Sequence, residues 1–546
     1  MNVRPQPFIL YWLIRLIPAL VLAVIILAGL MTRSLIGPYY AFRSDPSYVY
    51  LLNALNILRG LAPSHIGHPG TTVQELGGAT IYLRWWMGGL VEPSQRLTAS
   101  VLTEPEKYLN AINYVLLGIV GCTVSIATRS VLERTGQLVI ALAVPILLLT
   151  SVSVLNSLSQ VAPEPLLIAL AIVAALLAMP VPHASRNQQF RRAALFGIVL
   201  GAGIVTKITF VPVIVLMLAL PNIPCAILAG TFAVVSMGML TYPIWSALGT
   251  MFEWYEKLLT HQGPYGNGPK GLPPVQKMLS DAATFLGSEP LLLIAAVALV
   301  IGVTSLALRH PLDGQRRYWP RFFTAGTLLM VGQLAVVAKH PVHLHYLMPA
   351  IAVAALLAPL ALHMIAPVSV IRHLAPATIV VLLPLLAYQP MQWIGGRLAS
   401  TGRATQATQI LLEMAAQRNC LVLPYYQFPS IPYALHLGNL YAYRHYSDDL
   451  TSIYPDSLFY NEGQAIEDFI NVRSESAEIS LLTGPRPICP LGSIPLDNSS
   501  ATQVNGIMQL ELLAQVLIGG SSSSQDPVLI AAENMFLYQI TSRPQR

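Results

Sequence analysis

Chemistry in this chain can come from a few short stretches. Residues 42–48 read Phe-Arg-Ser-Asp-Pro-Ser-Tyr. Asp45 is the first acid in the sequence, with Arg43 beside it as a substrate-binding candidate. A carboxylate there can act as a general base. It can also start a helix, because Asp before Pro is a favoured opening and an apolar-periodic stretch follows to Leu58. The two readings are compatible, since a capping position fixes the carboxylate. Residues 67–78 read Gly-His-Pro-Gly-Thr-Thr-Val-Gln-Glu-Leu-Gly-Gly, where His68 and Glu75 could bind a sugar or a metal, or form a solvated turn. Glu164 lies in Pro-Glu-Pro, where the helix dipole alone explains an acid. Lys207 is the one charge in a long apolar run and must reach water or an anion, such as a lipid phosphate. Lys339, His340, His343, His345 and Tyr346 form a basic-aromatic cluster able to cradle a phosphate leaving group or to form an interfacial belt. Residues 245–289 carry Trp254, Tyr255, Lys257, His261 and a Gly-Pro-Tyr-Gly-Asn-Gly run that includes Tyr265. A connection of that length with glycine hinges can close over a substrate.

The elements that must position these groups follow from composition. The chain has 546 residues, 54% hydrophobic and only 10% charged, with mean hydropathy +0.59. A soluble protein carries about 25% charged residues. So few charges cannot cover a soluble surface, and the apolar content excludes disorder. Four cysteines exclude a disulfide scaffold, and a net charge of +6 without a basic stripe argues against nucleic acid as a partner. The reading is a polytopic α-helical membrane protein.

A membrane-spanning helix needs about 20 apolar residues. Such runs lie at 10–31, 109–127, 136–155, 162–180, 193–220, 223–244, 290–308, 322–339, 344–363 and 374–393. The first is read as a retained helix, not a signal peptide, with the N-terminus in the cytoplasm. Arg129 and Arg134, then Arg186, Arg191 and Arg192, then Arg309, Arg316, Arg317 and Arg321 mark three cytoplasmic loops. The last two can both be cytoplasmic only if 193–220 crosses twice, as a hairpin of short helices turning at Thr206-Lys207-Ile208-Thr209. The expected count is therefore about 11 crossings. Loops 32–108 and 245–289 and a C-terminal domain at 394–546 fall outside the cell membrane, and the candidate groups gather on that outer face. The charge divides accordingly. Residues 1–393 hold 23 Lys+Arg against 12 Asp+Glu, and residues 394–546 hold 8 against 13, all eight bases being Arg.

In the C-terminal part, 403–418 has helical periodicity, while Leu421-Val422-Leu423, 479–482 and 536–540 read as strands. An α/β or α+β domain is expected. Cys420 and Cys489 are its only cysteines, and a disulfide between them is allowed outside the membrane.

The ordered set of motifs resembles the GT-C superfamily of glycosyltransferases, nearest the family 39-like group with protein O-mannosyltransferases and lipid A aminoarabinose transferases. Asp45 matches an acid in the first outer loop, and His68-Pro69-Gly70 matches a later element of that loop. A glycine-rich helix ending in Thr-Lys matches Gly197, Gly201, Gly203, Thr206 and Lys207, and a basic-aromatic-Leu-x-Pro helix start matches His345-Tyr346-Leu347-Met348-Pro349. The likeness covers about 8–393. It departs where Asp45 is followed by Pro46 in place of a second acid, and where the first outer loop lacks Asp-x-Asp, so a divalent metal stays an open cofactor. The resemblance implies a polyprenyl-phosphate-linked sugar donor and a glycan, lipid or protein acceptor on the outer face. Transfer would be inverting, with Asp45 as base and Lys207, Lys339, His343, His345 and Tyr346 around the leaving phosphate. Arg43, His68, Glu75, Glu164, His261 and Tyr265 would bind substrate. A transporter or flippase of a lipid-linked sugar and an O-antigen ligase or polymerase are the competing readings.

Overall fold

The computed structural model describes residues 8–42, 44–67, 70–89, 96–181, 183–263, 266–308, 318–340, 344–365, 387–398, 413, 417, 421–425, 430–454, 488–493, 529–532 and 535–538. The described part is mostly helical. Its helices are α1 (Phe8–Ile36), α2 (Tyr39–Phe42), α3 (Ser44–Leu58), α4 (Thr71–Gly89), α5 (Leu97–Thr103), α6 (Pro105–Thr135), α7 (Leu138–Leu149), α8 (Val152–Leu158), α9 (Pro163–Ala178), α10 (Arg186–Thr206), α11 (Ile223–Leu240), α12 (Leu248–Thr260), α13 (Val275–Ser288), α14 (Pro290–Leu308), α15 (Tyr318–Lys339) and α16 (Met348–Ile365). Among the described residues six helices are long and apolar enough to cross a membrane, or eight if each of two bent pairs is one span. The chain is an integral membrane protein. The count of eleven crossings also needs two shorter apolar helices, Pro163–Ala178 and Ile208–Ala219, and the run at 374–393, most of which lies outside the described residues.

Several expected boundaries move. The run at 136–155 is not one straight span: α7 and α8 meet at a 74° bend, where the Ser151 hydroxyl accepts from the Val154 N–H and caps α8. Arg186, Arg191 and Arg192 do not precede a helix but form its first two turns, because Ser185 and Gln188 close a reciprocal capping box ahead of them. The first arm of the expected hairpin is therefore a full-length helix of 21 residues, not a short one. The segment 245–289 holds two amphipathic helices, α12 and α13, and α13 turns into α14 at a 101° bend.

The chain reverses at Lys207, whose backbone is extended (φ −165°, ψ 135°), and continues as a 3₁₀ helix, Ile208–Ala219. The buried residues Phe210, Val213, Leu216 and Ala219 recur every third position, as the eclipsed 3₁₀ geometry requires, while Val211, Ile214 and Leu218 are exposed. Phe210 lies on Gly203, where a Cβ would come within 2.2 Å of the ring. A Cβ on Gly197 would stand 2.2 Å from the Ala229 carbonyl oxygen, and one on Gly201 2.4 Å from that of Ala233. Both contacts advance together along the chain, so α10 and α11 run parallel and the 208–219 segment that connects them runs back in the opposite direction.

Residues divide into two compact units. One comprises 1–34, 56–81 and 110–395, and the other 35–55, 82–109 and 396–546. The first holds a continuous apolar core from α1, α6, α7, α9, α10, α15 and α16. In the second, β1 (Leu421–Tyr425), β2 (Ile488–Ser493), β3 (Leu529–Ala532) and β4 (Met535–Tyr538) form a mixed sheet in the order β1-β2-β4-β3, with β1 and β2 parallel. β1 and β4 match expected strands; the expected strand at 479–482 and helix at 403–418 lie outside the described elements. Helix Ile431–Leu440 packs on α3: Gly438 meets the Tyr48 carbonyl so closely that a Cβ would fall 2.6 Å from its oxygen, and the Asn53 amide donates to the Tyr441 carbonyl at 2.6 Å.

Candidate functional site

The site in the first unit is built where α10 and α11 end. The last carbonyls of an α-helix have no partner within the helix. Here the segment that opens α4 supplies partners: the Gly70 N–H donates to the Val205 carbonyl at 3.0 Å and the Thr71 hydroxyl to the Leu240 carbonyl at 2.8 Å. Thr72 and Thr206 join hydroxyls at 2.7 Å. Two parallel helix ends are thereby stitched to the start of α4, and Gly70 (φ +66°) takes the turn that a side chain would strain.

Directly beyond Thr206, Lys207 turns inward. Its ammonium is 2.6 Å from the Glu164 carboxylate in the first turn of α9, with the two side chains only 5% and 3% exposed. The same ammonium lies 4.7 Å from the centre of the Tyr346 ring, a cation–π distance. His345 Nε2 is 3.7 Å from Glu164, and the His345 and Tyr346 rings meet edge-on at 4.7 Å. Glu164, Lys207, His345 and Tyr346 are thus one cluster, with His345 its most open member at 31% side-chain exposure. The sequence offered Lys207 a lipid phosphate or snorkelling; the structure gives its charge a carboxylate 43 residues away.

Two groups near this cluster were missed by sequence reasoning, and the first holds it together. Gln333, fully buried on α15, donates its amide to the carbonyls of Thr209 (3.0 Å) and Tyr346 (2.6 Å), tying the segment after Lys207 to the one that carries His345. A lone Gln within an apolar run was the available signal. His65 lies in the loop before α4, its carbonyl accepting from Gln74 at 3.0 Å. Burial, with the nearby Lys207 charge, lowers its pKa to about 4, so the imidazole is neutral at ordinary pH. Glu75, on α4, is half-buried, and burial raises its carboxyl to about 7.

Lys339 and His340 face elsewhere. The Lys339 ammonium donates to the Leu258 and Leu259 carbonyls at the C-terminal end of α12. The two ring nitrogens of His340 lie 2.9 Å from the Leu258 carbonyl and 2.8 Å from that of Gly263. These bases clamp the segment 258–263, and a positive charge suits a helix C-terminus. His261 caps the same helix, its Nδ1 2.9 Å from the Thr260 hydroxyl. The cluster 339–346 therefore divides, with Lys339 and His340 on α12 and His345 and Tyr346 on the Lys207 pair. A further buried acid, Glu289, sits at the α13–α14 bend and reaches Ser151 and Ser153 at the α7–α8 bend, with its Oε1 unpartnered among the described residues.

Asp45 belongs to the second unit. Its extended backbone (φ −98°, ψ 122°) breaks α3 at the start, ahead of Pro46, as expected of a helix opening, and its side chain is exposed. The turn before it is pinned by Glu106, whose carboxylate accepts from the N–H groups of Tyr39 and Tyr40 (3.1 and 3.0 Å) and the Tyr48 hydroxyl (2.9 Å). Glu106 was not read from sequence. Arg43, His68, Tyr265, His343 and Cys420 lie outside the described residues; Cys489 is on β2, opposite Val422. Among the described residues no three His, Cys, Asp or Glu are grouped to hold a metal ion.

Neither a family model nor a curated protein sequence matches the chain. Solved structures do. ArnT from Cupriavidus metallidurans in the apo state aligns with TM-score 0.52 and 11% identity, over 96% of this chain and 99% of that one. The fold is ArnT-like. The same protein bound to undecaprenyl phosphate aligns at TM-score 0.49 and 12% identity, with the same coverage. ArnT is a lipid A aminoarabinose transferase of GT-C fold, the group to which the motif order pointed.

Proposed function

We propose that the protein is a membrane glycosyltransferase that moves a sugar from a polyprenyl-phosphate donor to a glycan, lipid or protein acceptor on the outer face. The observation that carries this reading is the ArnT-like fold along 96% of the chain. The buried ionic cluster at one end of α10 and α11 supports it. In this reading Asp45 takes the acceptor hydroxyl proton as the hydroxyl attacks the anomeric carbon, with inversion. Such a base is worth about 10²–10⁴-fold. Lys207 sets a positive charge beneath the departing phosphate, Glu164 holds it there, and His345, the open member, meets the phosphate. Residues 1–393 form the catalytic body, with the N-terminus cytoplasmic, and 394–546 lie outside.

The test is release of polyprenyl phosphate from a lipid-linked sugar by the reconstituted full chain. Asp45→Asn is expected to abolish release while the protein remains inserted and retains the donor. Wild-type turnover by that variant removes Asp45 as base, and no release from any lipid-linked sugar removes the transferase reading. The two bent helix pairs favour a second reading, transport of the lipid-linked sugar, since transporters use broken helices. Movement of intact donor across the bilayer, with no polyprenyl phosphate formed, selects it.

A further inference from the structure

At the opposite end of α10 from Lys207, a cavity of about 210 Å³ opens among the ends of α9, α10 and α15 and the end of the 3₁₀ helix. Fifteen positions of α-helix separate Arg192 from Lys207, about 22 Å at 1.5 Å per residue, so this cavity is remote from the cluster described above. Its walls are largely apolar, from Leu177, Val181, Leu220 and Trp319, with Arg192 and His183 as the basic groups among the described residues. No acid lines it.

Arg192 is held as a fixture. Its Nη2 lies 2.7–2.8 Å from the carbonyls of Leu176, Leu177 and Met179, at the end of α9. Those bonds use one nitrogen of the fork. Among the described residues Nη1 and Nε have no partner, which leaves three N–H donors on a guanidinium whose orientation is already fixed. Arg134, bonded at 2.8 Å to the Pro180 carbonyl, adds a second positive charge at this end. His183, in the wall, adopts φ +56°, a left-handed conformation rare for a residue with a side chain. Tyr318 and Trp319 supply the amphipathic aromatics typical of the membrane–water boundary.

We infer that this cavity is a phosphate site, in which the unpartnered N–H donors of Arg192 hold a phosphate ester whose attached carbon chain lies on the apolar walls. The partly apolar lining and the position at the bundle end fit a phospholipid headgroup, and a free phosphate shares the same recognition. A guanidinium fixed in this way offers charge-assisted N–H donors to phosphate oxygens. The volume holds a headgroup and not a whole lipid.

The test uses the full chain in detergent, analysed by native mass spectrometry after exchange through vesicles of phosphatidylglycerol or of the phosphate-free digalactosyldiacylglycerol. Inorganic phosphate is titrated in parallel against thermal unfolding. Preferential retention of phosphatidylglycerol by tenfold or more is expected. It should fall at least tenfold in Arg192→Gln and in Val181→Trp, which fills the mouth of the cavity at a residue 37% exposed and leaves the Arg192 bonds untouched. If Arg192→Gln fails to fold, Val181→Trp alone decides. A thermal shift with inorganic phosphate that Val181→Trp removes, without lipid retention, supports the site with a soluble occupant. Equal retention of both lipids together with no phosphate shift, or binding unchanged in Val181→Trp, overturns the inference.

Discussion

The Glu164–Lys207 pair gives the sharpest energetic prediction. Both side chains are almost completely withdrawn from solvent, at 3% and 5% exposure, with 2.6 Å between the charged atoms. Removing one partner of such a pair strands the other charge and costs about 3–5 kcal/mol, whereas replacing both by groups of similar volume is often neutral or stabilising. Glu164→Gln and Lys207→Met should therefore each lower stability by about 3–5 kcal/mol, a shift of about two to three and a half powers of ten in the unfolding equilibrium at about 1.4 kcal/mol per decade. The double variant should return to within about 1 kcal/mol of the parent, a coupling of several kcal/mol. His345, 3.7 Å from Glu164, is placed to take over from the missing ammonium. Lys207→Met is therefore expected at the lower end of the range, and adding His345→Gln should deepen the loss. Denaturant or thermal unfolding in one detergent, read by tryptophan fluorescence, measures all four species. Single losses under about 1 kcal/mol, or a double variant equal to the sum of the singles within about 0.5 kcal/mol, would refute a dry, mutually dependent pair.

Three further outcomes follow from the geometry. Gly197→Ala and Gly201→Ala force a Cβ against the α11 backbone carbonyls, so each should cost more than the 1–3 kcal/mol typical of overpacking, whereas Gly118→Ala, with open space around it, should be neutral by the same unfolding assay. Stability should carry two opposed pH slopes. His65, lowered from 6.5 to about 4, stabilises fully above pH 6.5 and loses that contribution as pH falls to about 4; Glu75, raised from 4.5 to about 7, favours the fold below pH 4.5 and loses that contribution as pH rises to about 7. Glu75→Gln should then stabilise above pH 7 and have little effect near pH 4.5, and equal effects at both ends would contradict the buried carboxyl. Glu106→Ala removes the shared acceptor of three donors, each such bond being worth about 1.5–3 kcal/mol, and should speed proteolysis between Tyr39 and Leu58, while Glu104→Ala, on a surface pair, should not.

What the sequence disclosed depended on whether the signal was local. Apolar runs located α9, α11 and α14 closely, because desolvation in a bilayer is decided residue by residue. The reversal at Lys207 was readable from the balance of arginines on either side of it. Asp45 as a helix opening was readable from the Pro after it. The pairing of Lys207 with Glu164 was not, since nothing local links positions 43 apart. Gln333 and Glu106 were missed for the same reason: each acts on backbone groups distant in sequence, and only the fold brings those groups within reach. Lys339 and His345, six positions apart, looked like one cluster, but the end of α15 sends the first to α12 while the 3₁₀ turn at Leu344–Leu347 sends the second to Glu164.

The 3₁₀ winding of Ile208–Ala219 changes what counts as a short crossing. Twelve residues of α-helix climb about 18 Å, too little for a hydrocarbon layer about 30 Å deep. The same twelve residues wound at about 2.0 Å each climb about 24 Å. Tightening the coil recovers roughly half of the missing height without adding a residue. The bilayer measures reach and not residue number, so a rule that scans for about 20 apolar residues is blind to a segment that lengthens by changing its pitch.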